Sequence, residues 1–341
     1  MSNFNEYTKY LNELNNPTER QREIVQACQH FESTKAAALA LGCSASNISN
    51  TLCKIKTKGV KAVRGRIHAM IPDCQVTPDT PTDHLKWIGE YLADLKPDVI
   101  VNIGDFADME ALSSFDYGKK AAEGRRVIND FNAANKAMRL LMKPIQDEKG
   151  YNPQLHMTMG NHEYRVIRAI ESDAKLDGFL SLDSLNYKEM GYNVHPFLTP
   201  VEIDGINYVH FVPNPNTGKP YGGFNMDTRL KTVGYSFSMG HQQMHMYGSR
   251  ALGNGKILKG LVSGACYLHD EDYKGKMGNT YWRGIVIKHE VFDGSYDIME
   301  VSLDYLCRKY EGIPLSTFMS KKYPDIFESS IWLNRLSSRG Q

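Results

Sequence analysis

The chain has 341 residues, 41% of them hydrophobic and 23% charged, with a formal net charge of +1. That is room for one large core and a small extra module, in a composition ordinary for a soluble globular protein. No apolar run nears the roughly 18 residues that a membrane span needs. The opening MSNFNEYTKY is too polar for a secretory signal, so a cytoplasmic protein without a membrane partner is expected. The six cysteines (28, 43, 53, 74, 266, 307) show no CxxC pair and no regular spacing, which reads as reduced structural thiols.

Charge is unevenly placed. Residues 1–64 hold nine Lys/Arg against five Glu and no Asp, which leaves that segment at about +4. A helix is predicted over 18–33, capped by Thr18, with Ile24, Val25, Cys28 and Phe31 as its apolar stripe. A short helix from Thr34 stops at Gly42, and Ser44 caps a third carrying Ile48, Leu52 and Ile55. Two short helices around a Gly-containing turn form the helix-turn-helix pattern, and Thr34–Lys56 resembles that of small DNA-binding domains. Asn47, Asn50, Thr51 and Lys54 would face bases or phosphates, and Lys56, Lys58 and Lys61 would continue into a basic arm toward Arg66. The plainer reading is a three-helix packing module with a solvated basic linker.

From Arg66 onward short apolar runs alternate with amphipathic helices, which argues α/β layering. Strands are predicted at Ile67–Ile71, Asp98–Ile103, Leu155–Met159 and Tyr235–Met239, with helices at His84–Leu95 and Val127–Met142. Hairpins turn at Asp204-Gly205, whose return strand carries His210, and at Asp293-Gly294. Two face-to-face sheets flanked by helices, a four-layer α/β/β/α domain over 65–308, is the expected fold. It follows a small all-α domain over 1–64 and precedes a partly helical tail over 309–341.

Five segments at strand ends carry the chemistry: Asp73-Cys74-Gln75, Gly104-Asp105-Phe106-Ala107-Asp108, Gly160-Asn161-His162-Glu163, His210, and Gly240-His241-Gln242-Gln243. They bring carboxylate, amide and imidazole groups to one sheet edge, the ligand types for a pair of divalent metals.

This series resembles the calcineurin-like metallophosphoesterase superfamily over roughly 66–305, and it is most similar to phage and prophage members. Those members also tend to show an Arg after the Gly-Asn-His-Glu, here Arg165, and a late Trp then Gly, here Trp282-Arg283-Gly284. The resemblance implies a bridging Asp105, one ion on Asp73, Gln75, Asp105 and Gln243, and another on Asp105, Asn161, His210 and His241. Gln75 and Gln243 stand where the family has histidines. The first ion would thus see only oxygen donors, suiting Mg2+ or Mn2+, while the second suits Mn2+, Fe or Zn2+; Mn2+ is the expected metal. A shifted His245 is an alternative ligand.

His162 is expected to donate the proton to the leaving oxygen, oriented by Asp108. Lys119, Lys120, Arg125 and Arg126, with Arg165, would guide a polyanion, or the first four form a solvated helix start. The expected activity is a DNA phosphodiesterase, at work in the bacterial host cytoplasm if the chain is phage-encoded. The alternatives are a phosphomonoesterase, or a DNA-binding protein with a silent catalytic domain.

Overall fold

The computed structural model describes residues 4–12, 14, 17–63, 65–116, 118–271 and 274–338, with backbone alone at 57–63, 121, 276 and 338. The chain divides into two compact units, Met1–Arg66 and Ile67–Gln341.

The first unit holds α1 (Asn5–Asn12), α2 (Glu19–Phe31), α3 (Thr34–Ala40) and α4 (Ala45–Val63). Thr18 and Gln21 cap α2 reciprocally, side chain to backbone in both directions. Ser33 caps α3, and the Ser44 hydroxyl accepts from the Asn47 amide at 3.1 Å to start α4. Ile24, Val25, Cys28, Ala37, Ile48, Leu52 and Ile55 form the core, which Phe4 and Leu11 complete from the unanticipated α1 side. Phe31 does not join that stripe. It is 43% exposed and stands one residue before the left-handed Glu32 where α2 ends.

The expected basic arm is also different: residues 54–63 continue α4, since Ile55 extends its buried stripe and lysines are good helix formers. Asn47, Asn50 and Lys54 are exposed. Thr51 donates its hydroxyl to the Asn47 carbonyl at 2.9 Å. The Lys56 ammonium lies 3.9 Å from Glu6 and 5.9 Å from the Tyr10 ring centre, so it packs toward α1. The side chains of Lys58 and Lys61 lie outside the described residues.

The second unit begins with β1 (Arg66–Ile71), α5 (Asp83–Leu95), β2 (Val99–Asn102), α6 (Val127–Asp147), β3 (Gln154–Thr158), α7 (Tyr164–Ser172) and β4 (Asn193–His195). Next come β5 (Val201–Ile203), β6 (Ile206–Tyr208), α8 (Met226–Val233), β7 (Phe237–Met239), β8 (His245–Ala251), β9 (Ile257–Ser263) and α9 (Gly275–Gly278). It closes with β10 (Gly284–Phe292), β11 (Ser295–Ser302), α10 (Leu303–Glu311), α11 (Leu315–Lys322), α12 (Pro324–Ser329) and α13 (Ile331–Ser338).

One sheet has the order β11-β10-β1-β2-β3-β4 and the other β5-β6-β7-β9-β8. Strands β1 to β4 run parallel, as do β6, β7 and β9. Met70, Val99, Val101 and Ile103 of the first sheet meet Ile206, Tyr208 and Leu261 of the second, filling the space between them. The outer face of the first sheet buries Leu85, Trp87, Ile88, Met138 and Leu141 of α5 and α6. The outer face of the second packs Met226 and Leu230 of α8. The fold is therefore mixed α/β, two sheets flanked by helices.

Helix α10 crosses residue 308, and Leu315, Phe318, Met319, Trp332 and Leu333 enter the first-sheet core. The apolar residues of the C-terminal segment thus pack, as helices, within the second unit. No helix among the described residues is long and apolar enough to cross a membrane.

Candidate active site

Five strands deliver their next residues to one edge: β1 leads to Asp73 and Gln75, β2 to Asp105, β3 to Asn161, β6 to His210, and β7 to His241 and Gln243. The carboxyl ends of parallel strands are where open α/β sheets place their ligands. His210 sits two residues past β6 rather than on it, which frees its ring to turn toward Asp105.

Ligand atoms of Asp105, His210 and His241 lie within 4.8 Å of one another. Asn161 Oδ1 joins them, 3.0 Å from His210 Nε2 and 2.7 Å from His241 Nδ1. His210 Nδ1 lies 2.8 Å from the Ile103 carbonyl. That bond needs the proton on Nδ1 and leaves Nε2 as the ligating nitrogen, the usual outer bond of a metal-binding histidine.

Tight backbone geometry brings these groups together. A Cβ on Gly160 would stand 2.0 Å from Asp105 Oδ1, and one on Gly240 would stand 2.3 Å from Asp73 Oδ1. Gln75, Asp105, His241 and Gln243 hold φ of 44°, 50°, 63° and 59°, a region that costs non-glycine residues about 1–3 kcal/mol each and collects at functional sites. Glu163 secures the loop. Its carboxylate accepts from the amides of Asp105, Phe106, Ala107 and Gly160 at 2.7–3.1 Å.

The donor set fits a divalent cation. On the Asp73 side, Asp73 Oδ2 and Gln75 Oε1 are buried without a hydrogen-bond partner, acceptors that call for positive charge, whether a metal or an ammonium. Burial, with help from Asp105, lifts the Asp73 carboxyl to about 7. Burial lowers the His210 imidazole, but Asp105 and Asp73 outweigh it and raise it to about 9. Asp73 is thus pushed toward its neutral form while His210 is drawn to its charged one, the charge deficit that a cation would meet.

His162 stands beside this cluster, its Nε2 3.7 Å from Asp105 Oδ2. Its Nδ1 is hydrogen-bonded to Asp108 Oδ1. Burial disfavours the imidazolium, yet Asp105 and Asp108 prevail and raise it to about 9. Arg165 Nη1 donates to the Asp108 carbonyl at 2.8 Å and its carboxylate at 3.2 Å. Arg165 therefore holds the residue that holds His162, besides lining the cleft.

That cleft, about 760 Å3, is bordered by Asn161, His162, Arg165, Lys119, Arg125 and Phe115. Of the four cationic residues expected nearby, Lys119 and Arg125 reach its wall. Arg125 is already paired with Glu110 at 3.1 Å and Asp116 at 2.8 Å. Lys120 and Arg126 are exposed and do not line the cleft.

The two glutamines differ from each other. Gln75 is buried with no side-chain partner, whereas Gln243 Oε1 accepts from the Tyr267 hydroxyl at 2.9 Å, the Tyr281 hydroxyl at 3.3 Å and the Lys274 ammonium. Burial lowers the Lys274 ammonium to about 8, although Asp73 and Glu271 favour its charge. His245 turns away to Glu300 at 2.7 Å, its ring tilted against Trp282 with centres 4.7 Å apart, so it does not replace Gln243. Reading by motif assigned no role to Glu163 and passed over Lys274, 31 positions from the amide it meets. The Gly-Asn-His-Glu sequence was a signal for the first; a lone lysine gave none for the second.

Residues 67–273 match the family of calcineurin-like phosphoesterases, and the chain belongs to that family. Metal-dependent phosphoester hydrolysis is the activity this domain implies, with Asp105, His210 and His241 as a possible site for the ion. No curated protein matches the chain. One solved crystal structure aligns with 70% of this chain and 99% of its own, at 12% identity and a TM-score of 0.35. That likeness carries no argument.

Proposed function

We propose that the protein is a metal-dependent phosphodiesterase acting on DNA. The observation that carries the phosphoesterase part is His162, held charged by Asp105 and Asp108 at the wall of the cleft. The alkoxide leaving a phosphoester needs a proton, and the His162 imidazolium would supply one from the cleft wall; the choice of a diester is what the test below decides.

Asp105, Asn161, His210 and His241 would hold a cation, Mn2+ being our choice. A bound divalent ion there supplies a Lewis acid that makes hydroxide available near neutral pH and offsets charge on the phosphoryl oxygens. The chain's own groups do the rest. Asp108 fixes the ring of His162, Arg165 fixes Asp108, and Glu163 holds the backbone of residues 105–107 in place. Lys119, 4.0 Å from Asp116, and Arg165, bonded to Asp108, are cations of the cleft wall that an entering phosphate would meet.

The DNA part rests on the first unit. Its α3 and α4, joined by a turn through Gly42, leave Asn47, Asn50 and Lys54 exposed on one helix of a net basic segment. Amide side chains with a neighbouring lysine suit base edges and phosphates.

The test compares two substrates for the full chain with Mn2+, a DNA duplex and bis-p-nitrophenyl phosphate. Replacing Asn47, Asn50 and Lys54 together by alanine should slow DNA cleavage and leave the small diester unaffected. Unchanged DNA cleavage would sink the DNA reading. A wild-type preference for p-nitrophenyl phosphate over its bis ester would replace the diesterase by a monoesterase.

A further inference from the structure

We infer that the ammonium of Lys274 takes the place of the second metal ion, so that the centre is mononuclear. The inference rests on the metal site proposed above and changes its stoichiometry.

The argument starts with Gln243. An amide oxygen has two lone pairs, and here three donors converge on it: the hydroxyls of Tyr267 and Tyr281 and the Lys274 ammonium. No lone pair remains for a cation. An ion on this side would keep Asp73, Gln75 and the shared Asp105, without an imidazole. It would also sit beside the Lys274 ammonium, which is bonded to the same Gln243 oxygen.

Lys274 is not a stray surface side chain. The Tyr281 ring lies 4.6 Å from its ammonium, and the Tyr281 hydroxyl accepts from it at 3.2 Å. Its loop is clasped by the buried Asn279, whose side chain accepts from the Glu271 amide and donates to the carbonyls of Glu271 and Gly275. Buried Arg283 anchors the same loop through Asp270 at 2.7 Å and the Asn279 carbonyl. The chain thus places a covalently attached cation against the half of the centre whose usual imidazole positions are Gln75 and Gln243.

Among the described residues, no lysine bonds to the other half. Asp105, Asn161, His210 and His241 bond mainly to one another and to His162. One ion there, with Lys274 opposite, would set positive charge on both sides of the Asp73 and Asp105 carboxylates.

The experiment counts Mn2+ on full-length protein by equilibrium dialysis, with electron paramagnetic resonance on the same samples. Wild-type protein should hold a single tightly bound Mn2+ with the spectrum of an isolated ion. Lys274→Met should admit a second, and the spectrum should then show exchange coupling between neighbouring ions. Lys274→Gln, which keeps a hydrogen-bond donor for Gln243 but loses the charge, serves if the methionine variant fails to fold. Two tight ions in the wild type would overturn the role of Lys274 and leave the metal site standing. A single ion in both variants would also overturn it. No binding in any protein would overturn the metal site and this inference together.

Discussion

The two halves of the centre share Asp105 and little else. On one side His210, His241 and Asn161 converge with their outer bonds already made, as His210 shows through Ile103. On the other, Asp73 and Gln75 keep buried atoms without partners while Gln243 is taken up by two tyrosines and a lysine. Both halves are built from strand ends of the same sheets, so the difference comes from side-chain chemistry rather than from the frame. A fold can keep its ligand positions and still change how charge is met at each of them.

The comparison breaks most directly at His210. Changing it to alanine should abolish hydrolysis of bis-p-nitrophenyl phosphate and lower Mn2+ affinity beyond the roughly 100-fold cost of altering an outer-shell partner, measured by dialysis. If Mn2+ affinity held, the histidine-rich half would not be the binding half. His162→Ala should next lower kcat by about 10²–10⁴-fold with Mn2+ binding retained, which separates proton donation from ligation in one pair of titrations.

A pH profile sharpens the role of Asp108. His162 is raised to about 9, so its proton-donating form prevails below that pH and is lost above it. Activity should fall on the alkaline side, at a pH set chiefly by Asp108 once an ion on Asp105 offsets that residue's charge. Asp108→Asn removes one of the two supporting charges, so the alkaline limb should move down toward the ordinary histidine range near about 6.5. A limb that stayed in place would assign the proton to another group. The smallest effect is expected at Gln75→Ala, at most about 10-fold in kcat/KM; a loss matching that of His210→Ala would show that the halves are equivalent after all.

Much of the frame was legible because each catalytic segment follows a compact apolar run. Ile67–Ile71 and Asp98–Ile103 read as strands by composition, and β1 and β2 occupy them to within a residue. The Asp204-Gly205 and Asp293-Gly294 turns likewise announced their hairpins, with all four residues at positive φ. Strand β4 was missed because three residues, Asn193–His195, are too few for any period to show. Strand β8 was missed because His245–Ala251 mixes polar and small residues, most of them only half-buried, and β9 because Lys259 and Gly260 interrupt its apolar run. Glu163 could be quoted as part of a motif, but its work depends on amides 56 to 58 positions away in the chain. Lys274 depends on a partner that only the folded loop supplies.

Asp105 follows a strand of the first sheet, whereas His210 and His241 follow strands of the second. An ion held by all three would therefore be a staple across the sandwich. Its binding energy becomes folding energy, since the unfolded chain cannot assemble the same ligands. Stability should then rise by about 1.4 kcal/mol for each tenfold increase in free Mn2+ above the dissociation constant. Removing the metal would loosen the contact between the two sheets before it disturbed either sheet alone.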